Sequence, residues 1–562
     1  MLLTLLKFFK YQKIKKMRKL IYFIILGIGV FSCSNDDNKT KEKITENQET
    51  KTQLTIQDRI NQYAPIKLNP DTASLTDKQK KFLQLLIEAS SYVNDILWLQ
   101  NFGDKQEILS KITDKDTLTY VKINFGPWDY VRNNEPFITG YGKKPAGANF
   151  YPNDIKYLPF IQMPFSDKLS MHTIIKRNPE DNTLYTVPYN EAYKEQIEKI
   201  TKKLQEAIQY CDNEQFKKYL EEKIKTLQTD DYYTSDALWM DIKDRKIDII
   251  IGAYDTELDK FLNLKAAYEA FVMIRNDEWT NKLASYIKLL PTLQKSLPVE
   301  DSYKNQKLAI GTDMVVCDLV YVGGYSDFGP KQIAITRPME GKVTMEKGTR
   351  KIQFMNVTNA KFQKILYPIA QLLVDSSQAQ KVSTKAFFES NFFFEISEGL
   401  ILKKTINNKG TVKSALKDFY NIARNIHNDV MRLYLLSILA NHKELDVDIE
   451  SSYVTYLADM FRSIRFGTAH SQAKAAIINL NFFLEKGAIT KNKKTGKYKI
   501  DYDKMKKAVK EQTYNILIIE GNGDYKSLKE MYNKYSYLNK DIEKDIAKVN
   551  NSNIPIDIRF EF

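Results

Sequence analysis

Residues Phe392-Phe393-Phe394-Glu395-Ile396-Ser397-Glu398-Gly399-Leu400 keep the spacing of a metal-binding helix but not its ligands. In a His-Glu-x-x-His helix, two His residues four apart share one face and hold Zn²⁺, and the Glu after the first activates a water. Here that Glu is Glu395, and the two ligand positions hold Phe394 and Glu398. A phenyl ring cannot coordinate a metal; a carboxylate can, but it is not imidazole. On their own these residues fit an ordinary buried helix, so the surrounding chain has to decide.

That chain is 562 residues long, enough for two or more lobes around substantial cores. Its hydrophobic fraction of 43% and aromatic fraction of 12% are those of a folded protein. The formal charge of +14 invites a nucleic-acid reading, but residues 1–32 carry seven Lys/Arg and no acid, which leaves 14 − 7 = +7 for the rest. No basic run with interleaved aromatics stands out, so no nucleic-acid partner is expected. Besides Cys33, the only thiols are Cys211 and Cys317, which make neither a disulfide framework nor a thiolate metal site.

The N-terminal stretch reads as an address. Met17-Arg18-Lys19 is a positive n-region, and Leu20 to Phe31 is an apolar run too short for an ordinary membrane span. It ends in Val30-Phe31-Ser32-Cys33, which resembles a bacterial lipobox and implies cleavage before Cys33 and acylation of it. With Met17 as the start, residues 17–32 are a lipoprotein signal peptide and 33–55 a flexible polar tether; a plain secretory peptide is the alternative. The expected location is the cell envelope, lipid-anchored at the outer membrane or cell surface rather than the inner membrane.

Folded sequence starts near Gln57. Leu75-Thr76-Asp77 caps a helix with Phe82, Leu85, Leu86, Ala89 and Val93 at helical spacing. Tyr120 to Asn124 reads as a strand, 191–209 and 213–227 as helices, Ile247 to Ile251 as a buried strand, and Asp259 to Met273 as a helix. Strand candidates follow at 317–322, 332–335 and 351–354, and from about Ala360 the chain is nearly all helix. The fold class expected is helix-rich α+β with two lobes: residues 56–360 mainly mixed α/β, residues 361–562 mainly helical. A cleft between lobes is the default place for a ligand.

Six segments taken together resemble the dipeptidyl peptidase III family of zinc metallopeptidases, especially its bacterial and plant members. They are INFGPWDYVRNNEPFITGYGKKPAGANFYP (123–152), IDIIIGAYDTELDKFLNLKAAYEAFV (247–272), DLVYVGGYSDFGPKQIAITRP (318–338), KGTRKIQFMNVTNAKFQKILYPIAQLL (347–373), FRSIRFGTAHSQAKA (461–475) and NIPIDIRFEF (553–562). The resemblance spans almost the whole folded chain. It implies a helical lobe carrying zinc, a mixed lobe with a small β-barrel-like core, a wide cleft for extended peptides, and release of dipeptides from peptide N-termini by a zinc-bound water.

Carried over position by position, the family's general base is Glu395, and its first two metal ligands become Phe394 and Glu398. The paired Glu of the family's second helix become Arg424 and Asn425, the latter at the third ligand position, while Asp429 keeps an acid. His427, two residues beyond Asn425, points about 200° away from the ligand face and reads as a surface or packing residue. A site built anew from Glu395, Glu398 and Asp429 would suit a hard ion better than Zn²⁺. Arg424 is expected to reach Glu398 or Glu395 and replace the metal cross-link with an ion pair.

The peptide-gripping stretch is altered as well, with Asp255 a shortened acid and Glu257 in place of Tyr. A cleft segment appears as Asp327-Phe328-Gly329-Pro330-Lys331, of which Asp327 and Lys331 are the candidate contacts. Ala469-His470-x-Gln472-Ala473 keeps the family pattern, in which the His helps stabilise the transition state. Three readings follow: an inactive, lipid-anchored family member that binds peptide or a protein partner in the cleft, with no cofactor; an active dipeptidyl peptidase with a rearranged, zinc-holding site; and a scaffold lipoprotein with a vestigial cleft. The first is the principal expectation.

Overall fold

The computed structural model describes residues 54–562 apart from 165, 305–312 and 443–444. The signal peptide, Cys33 and nearly all of the tether lie outside the described residues. No helix among the described residues is long and apolar enough to cross a membrane.

After a short helix, Ile56–Asn61, the mixed lobe continues with strand β1 (Tyr63–Lys67) and helices α1 (Asp77–Ser91) and α2 (Val93–Asn101). Thr76 starts α1 through a reciprocal capping box with Gln79, which satisfies two backbone donors that would otherwise be orphaned. Helices α3 (Lys194–Ile208), α4 (Glu214–Thr229) and α5 (Tyr233–Asp241) follow, then strands β2 (Ile247–Asp255) and β3 (Ala267–Arg275) and helix α6 (Asp277–Lys288). Strands β4 (Asp313–Gly324) and β5 (Ala334–Arg337), helix α7 (Gly341–Lys347) and strand β6 (Arg350–Phe354) complete the central sheet. Its order is β2-β3-β4-β6-β5, antiparallel except for the parallel pair β4 and β6. Ile250 faces Phe271 in register, and Ile352 faces Val315 on one side and Ile335 on the other.

The helical lobe is organised around α8 (Thr384–Glu398) and α9 (Tyr420–Leu439), followed by α10 (Ile449–Ile464), α11 (Ser471–Glu485) and α12 (Tyr502–Asn522). Helix α9 is buried at every residue from Ile426 to Ser437, so it runs through the lobe rather than along its surface. The final strand β7 (Asp557–Glu561) returns to pair in parallel with β1, Ala64 opposite Ile558.

Among the described residues two large hydrophobic cores form, beside a small cluster of Ile60, Tyr63 and Tyr120. One gathers Leu86, Val93, Phe271, Val322 and Ile352 together with Ile558 from the C-terminal end. The other gathers Leu283, Leu366, Phe392, Leu435, Tyr456 and Ile516. Strand β4 serves both, with Val316 in the helical core and Leu319 and Val322 in the mixed one.

Two local expectations are overturned. Tyr120 to Asn124 is the end of a helix, Lys115–Asn124, started by the Asp114 carboxylate on Thr117 N and stopped by the left-handed Phe125. The helix expected over Asp259 to Met273 is a tight turn followed by β3. The Asp259 carboxylate accepts the backbone N–H groups of Phe261, Leu262, Leu264 and Lys265, which winds the chain into a loop before the strand begins.

Candidate functional site

Helices α8 and α9 pack side by side, and Glu398 of one meets Arg424 of the other. Ser383 caps α8 on Ala386 N, and the helix carries Phe394, Glu395 and Glu398 in its last two turns. Arg424 and Asn428 lie four apart on α9 and therefore on one face. Arg424 Nε is 2.6 Å from both carboxylate oxygens of Glu398, and Asn428 Nδ2 donates to Glu398 Oε2 at 2.9 Å. The Arg424 and Glu398 side chains keep 43% and 34% of their exposure, so solvent screens the pair.

Glu395 turns away from this pair. Its Oε2 accepts from Lys351 Nζ at 2.9 Å, an ion pair that runs from α8 to strand β6 and so from the helical lobe to the mixed one. Beside it, Phe394 and Glu395 border a small cavity of about 50 Å³ whose opposite wall is Ile333, Ala334 and Gln353 of the mixed lobe.

Phe394 stands against a buried cation. The Arg432 guanidinium lies 5.3 Å from its ring centroid and 4.7 Å from that of Tyr456, within cation–π range. Arg432 Nη2 donates to Asp429 Oδ1 at 2.9 Å and to Asp459 Oδ2 at 3.4 Å, and Arg462 Nε holds Asp459 Oδ1 at 2.7 Å. Burial pushes the Asp429 carboxyl up to about 6 even though Arg432 pulls it down.

Asn425 donates to Asn421 O at 2.8 Å and to Ser471 Oγ at 2.9 Å. His427 is buried on the far side of α9, its Nδ1 2.7 Å from Glu520 Oε2 on α12, which makes it a packing residue rather than a surface one. His470 is exposed and occupies the N-cap position of α11 without a side-chain cap bond.

The donor chemistry does not fit a zinc ion. Zn²⁺ in a catalytic site is held by three protein ligands drawn from His, Cys and carboxylate. At the three family positions this chain offers a phenyl ring, a carboxylate held by a guanidinium and an amide, and a second amide whose nitrogen is hydrogen-bonded. The three acids that could have formed a new site are spread among three cations: Glu395 on Lys351, Glu398 on Arg424 and Asp429 on Arg432. Among the described residues no three His, Cys, Asp or Glu side chains gather as a metal site requires.

In the mixed lobe the structure brings some of the sequence candidates together and separates others. Asp255 ends β2 just after a bulge, and its Oδ1 accepts from Glu257 N at 2.7 Å. Burial raises the Asp255 carboxyl to about 6, and the nearby Glu269 and Glu257 add to the rise. Tyr325 OH reaches toward Glu257 Oε2 at 3.5 Å. Lys331 instead folds back on its own loop, its Nζ 3.1 Å from Asp327 Oδ1 and 2.5 Å from Asp327 O, while its backbone N–H donates to Asp557 of β7. Lys351, Asn428 and Arg432 are the residues that sequence reasoning missed. Arg432 sits three residues after Asp429 and was legible as a helical ion pair; Lys351 gave no signal because it is far from Glu395 in the chain.

The architecture and the two facing helices define a two-lobed metallopeptidase scaffold. The family model described as peptidase family M49 matches residues 169–389, ending ahead of Phe394. The structure of DPP III from Caldithrix abyssi is 32% identical with a TM-score of 0.85, covering 90% of this chain and 98% of that one. The structure of dipeptidyl-peptidase III from Corallococcus sp. strain EGB is 28% identical with a TM-score of 0.72, covering 90% and 96%. Nudix hydrolase 3 of Arabidopsis thaliana is 28% identical over 573 residues, which span 90% of this chain and 73% of that protein. The chain belongs to peptidase family M49, the dipeptidyl peptidase III family.

Proposed function

We propose that this chain is a catalytically silent member of the family, anchored through Cys33 and binding a peptide or a protein partner in the cleft between its lobes. The observation that carries the reading is the replacement of the metal cross-link by Arg424 on Glu398. A guanidinium at 2.6 Å from both oxygens competes directly with any cation for that carboxylate. With Phe394 and Asn425 at the other two ligand positions, no Lewis acid is held where the family activates water, and Glu395 is engaged by Lys351. The two-lobed scaffold with its five-stranded sheet supports a binding role, while the altered Asp255 and Glu257 at the end of β2 would change what the cleft grips.

Metal content and turnover of dipeptidyl arylamides test the silence of the site. Stoichiometric zinc with hydrolysis abolished by Glu395→Gln would overturn it. Calorimetry against a peptide library tests the binding role, which requires saturable binding that a bulky substitution at Glu257 removes. Metabolic labelling with a fatty acid tests the anchor, and label retained after Cys33→Ala would exclude that attachment.

A further inference from the structure

A cavity of about 240 Å³ opens in the mixed lobe beyond the end of β2. Its walls are the loop that carries Lys143 and Lys144, the turn after β2 with Glu257 and Lys260, and the side chains of Tyr130 and Phe328. The lysine loop is pinned on both sides of Lys144. Trp128 Nε1 donates to Gly142 O at 2.9 Å, and Ala148 N donates to Pro145 O at 3.0 Å.

Three cations therefore border one space, and none of them has an anion. Among the described residues Lys143, Lys144 and Lys260 make no ion pair and no side-chain hydrogen bond. Glu257 is the carboxylate on this wall, yet it stands beyond ion-pair range of all three, and Tyr325 OH lies 3.5 Å from its Oε2.

Lys144 is the exceptional one. Its Nζ lies 5.0 Å from the Phe328 ring centroid and 5.9 Å from that of Trp128, so aromatic carbon replaces water on one side of it. The side chain is half-buried, and its Nζ is not one of the sealed polar atoms, which leaves it open toward the cavity. Burial, and then the like charge of Lys260, hold its ammonium down at about 7. Among the described residues burial also pushes down Lys223, Lys265 and Lys361, and each of these has oxygens at hand. Lys223 Nζ is 3.1 Å from Asp236, Lys361 Nζ is 2.8 Å from Asp557, and Lys265 Nζ donates to Ser170 O at 2.7 Å and Thr173 Oγ1 at 2.8 Å. Lys144 has only rings. A desolvated ammonium without an acceptor is unfavourable, and a bound anion removes that cost. Pro145 and Leu258 add apolar wall, which suits the hydrocarbon body of an organic acid better than a fully hydrated phosphate.

We infer that the cavity bounded by Lys143, Lys144, Lys260 and Phe328 is a binding site for a carboxylate, carried by a small organic acid or by an acidic side chain, with Lys144 as its main partner. The site stands whether or not the metal positions are silent and whether or not the cleft binds extended peptide.

The charged groups that face Lys144 across the cavity are Lys143, Lys260 and Glu257. A carboxylate holds the Lys144 proton in place, so binding above pH 7 draws a proton from solution and weakens as pH rises. Calorimetric titration of the purified full-length protein tests this with sodium butyrate, the α-amide of Nα-acetyl-glutamic acid, 1-butanol and inorganic phosphate. Saturable butyrate binding is expected, about tenfold weaker near pH 8.5 than near pH 6.5, with none for 1-butanol and less for phosphate. Binding of the glutamic acid derivative as well assigns the site to side-chain carboxylates; binding of butyrate alone assigns it to free acids. Lys144→Met keeps the stem over the rings and should weaken binding at least about tenfold, and Lys260→Gln about threefold. A second measurement needs no variant: limited reductive methylation of the wild-type protein with formaldehyde and cyanoborohydride, mapped by mass spectrometry, should be slowed by butyrate at Lys144. No saturable binding of either carboxylate, equal binding of 1-butanol or phosphate, affinity unchanged in Lys144→Met, or methylation of Lys144 unslowed by butyrate would overturn the assignment.

Discussion

Replacing Arg424 by Met keeps the aliphatic stem and removes the guanidinium from Glu398. The pair is short and contacts both oxygens, which favours a strong interaction. Its exposure points the other way: with 43% and 34% of the side chains open to water, the coupling belongs with partly exposed pairs, not buried ones. Exposed pairs are worth roughly 0.2–1 kcal/mol, whereas breaking a buried pair costs about 3–5 kcal/mol. Asn428 remains on Glu398 Oε2 after the substitution and limits the loss further. The expected coupling is therefore about 1 kcal/mol, read from a double-mutant cycle of Arg424→Met and Glu398→Gln. Urea unfolding followed through the helical lobe supplies the free energies, and EDTA leaves the wild-type transition unmoved because the link is ionic. A coupling near zero would show that the pair does not bind the helices together. A coupling above about 3 kcal/mol would place it in a far drier environment than its exposure indicates.

Three further outcomes follow from the same structure. Restoring the donor set with Phe394→His, Glu398→His and Asn425→Glu, together with Arg424→Gln to remove the cation, should raise bound zinc toward one per chain; atomic absorption reads it, and no gain would mean the helices no longer stand at ligand spacing. Asp255 is raised to about 6 by burial, so its folded form takes up a proton that the unfolded chain, near 3.8, still lacks. That contribution to stability therefore grows as pH falls from about 6 to about 4 and is absent above pH 6; Asp255→Asn removes it, so the wild-type minus variant stability difference should rise as pH falls through that window and stay flat above it. Gly324 has φ +67, and an added Cβ would run into the Tyr268 carbonyl and lie 2.6 Å from Val93 Cγ1. Gly324→Ala should cost about 3 kcal/mol or more in denaturant unfolding, and a loss under about 1 kcal/mol would contradict that packing.

The sequence made the helical lobe legible because its helices carry capping residues and long apolar repeats. It also carries Phe394, Glu398 and Asn425 at the positions that the family resemblance gives to metal ligands, since these need only be read in place. Strand β3 was not legible: eight of its nine residues are buried, so both faces are apolar and the period-two alternation that marks a strand is erased. The turn before it hinges on one carboxylate, Asp259, accepting four backbone N–H groups, a three-dimensional arrangement with no linear signature. Arg424 on Glu398 could be anticipated because charge left in a cleft without its metal calls for compensation. Lys351 on Glu395 could not, because it depends on where strand β6 meets α8.

Loss of the family's metal site is the claim on which the rest turns, and direct metal analysis of the purified protein tests it most plainly. After incubation with excess Zn²⁺ and gel filtration, the wild-type chain should carry well under one zinc and should leave dipeptidyl arylamides uncleaved. One tightly held zinc per chain, with hydrolysis that disappears in Glu395→Gln, would contradict it.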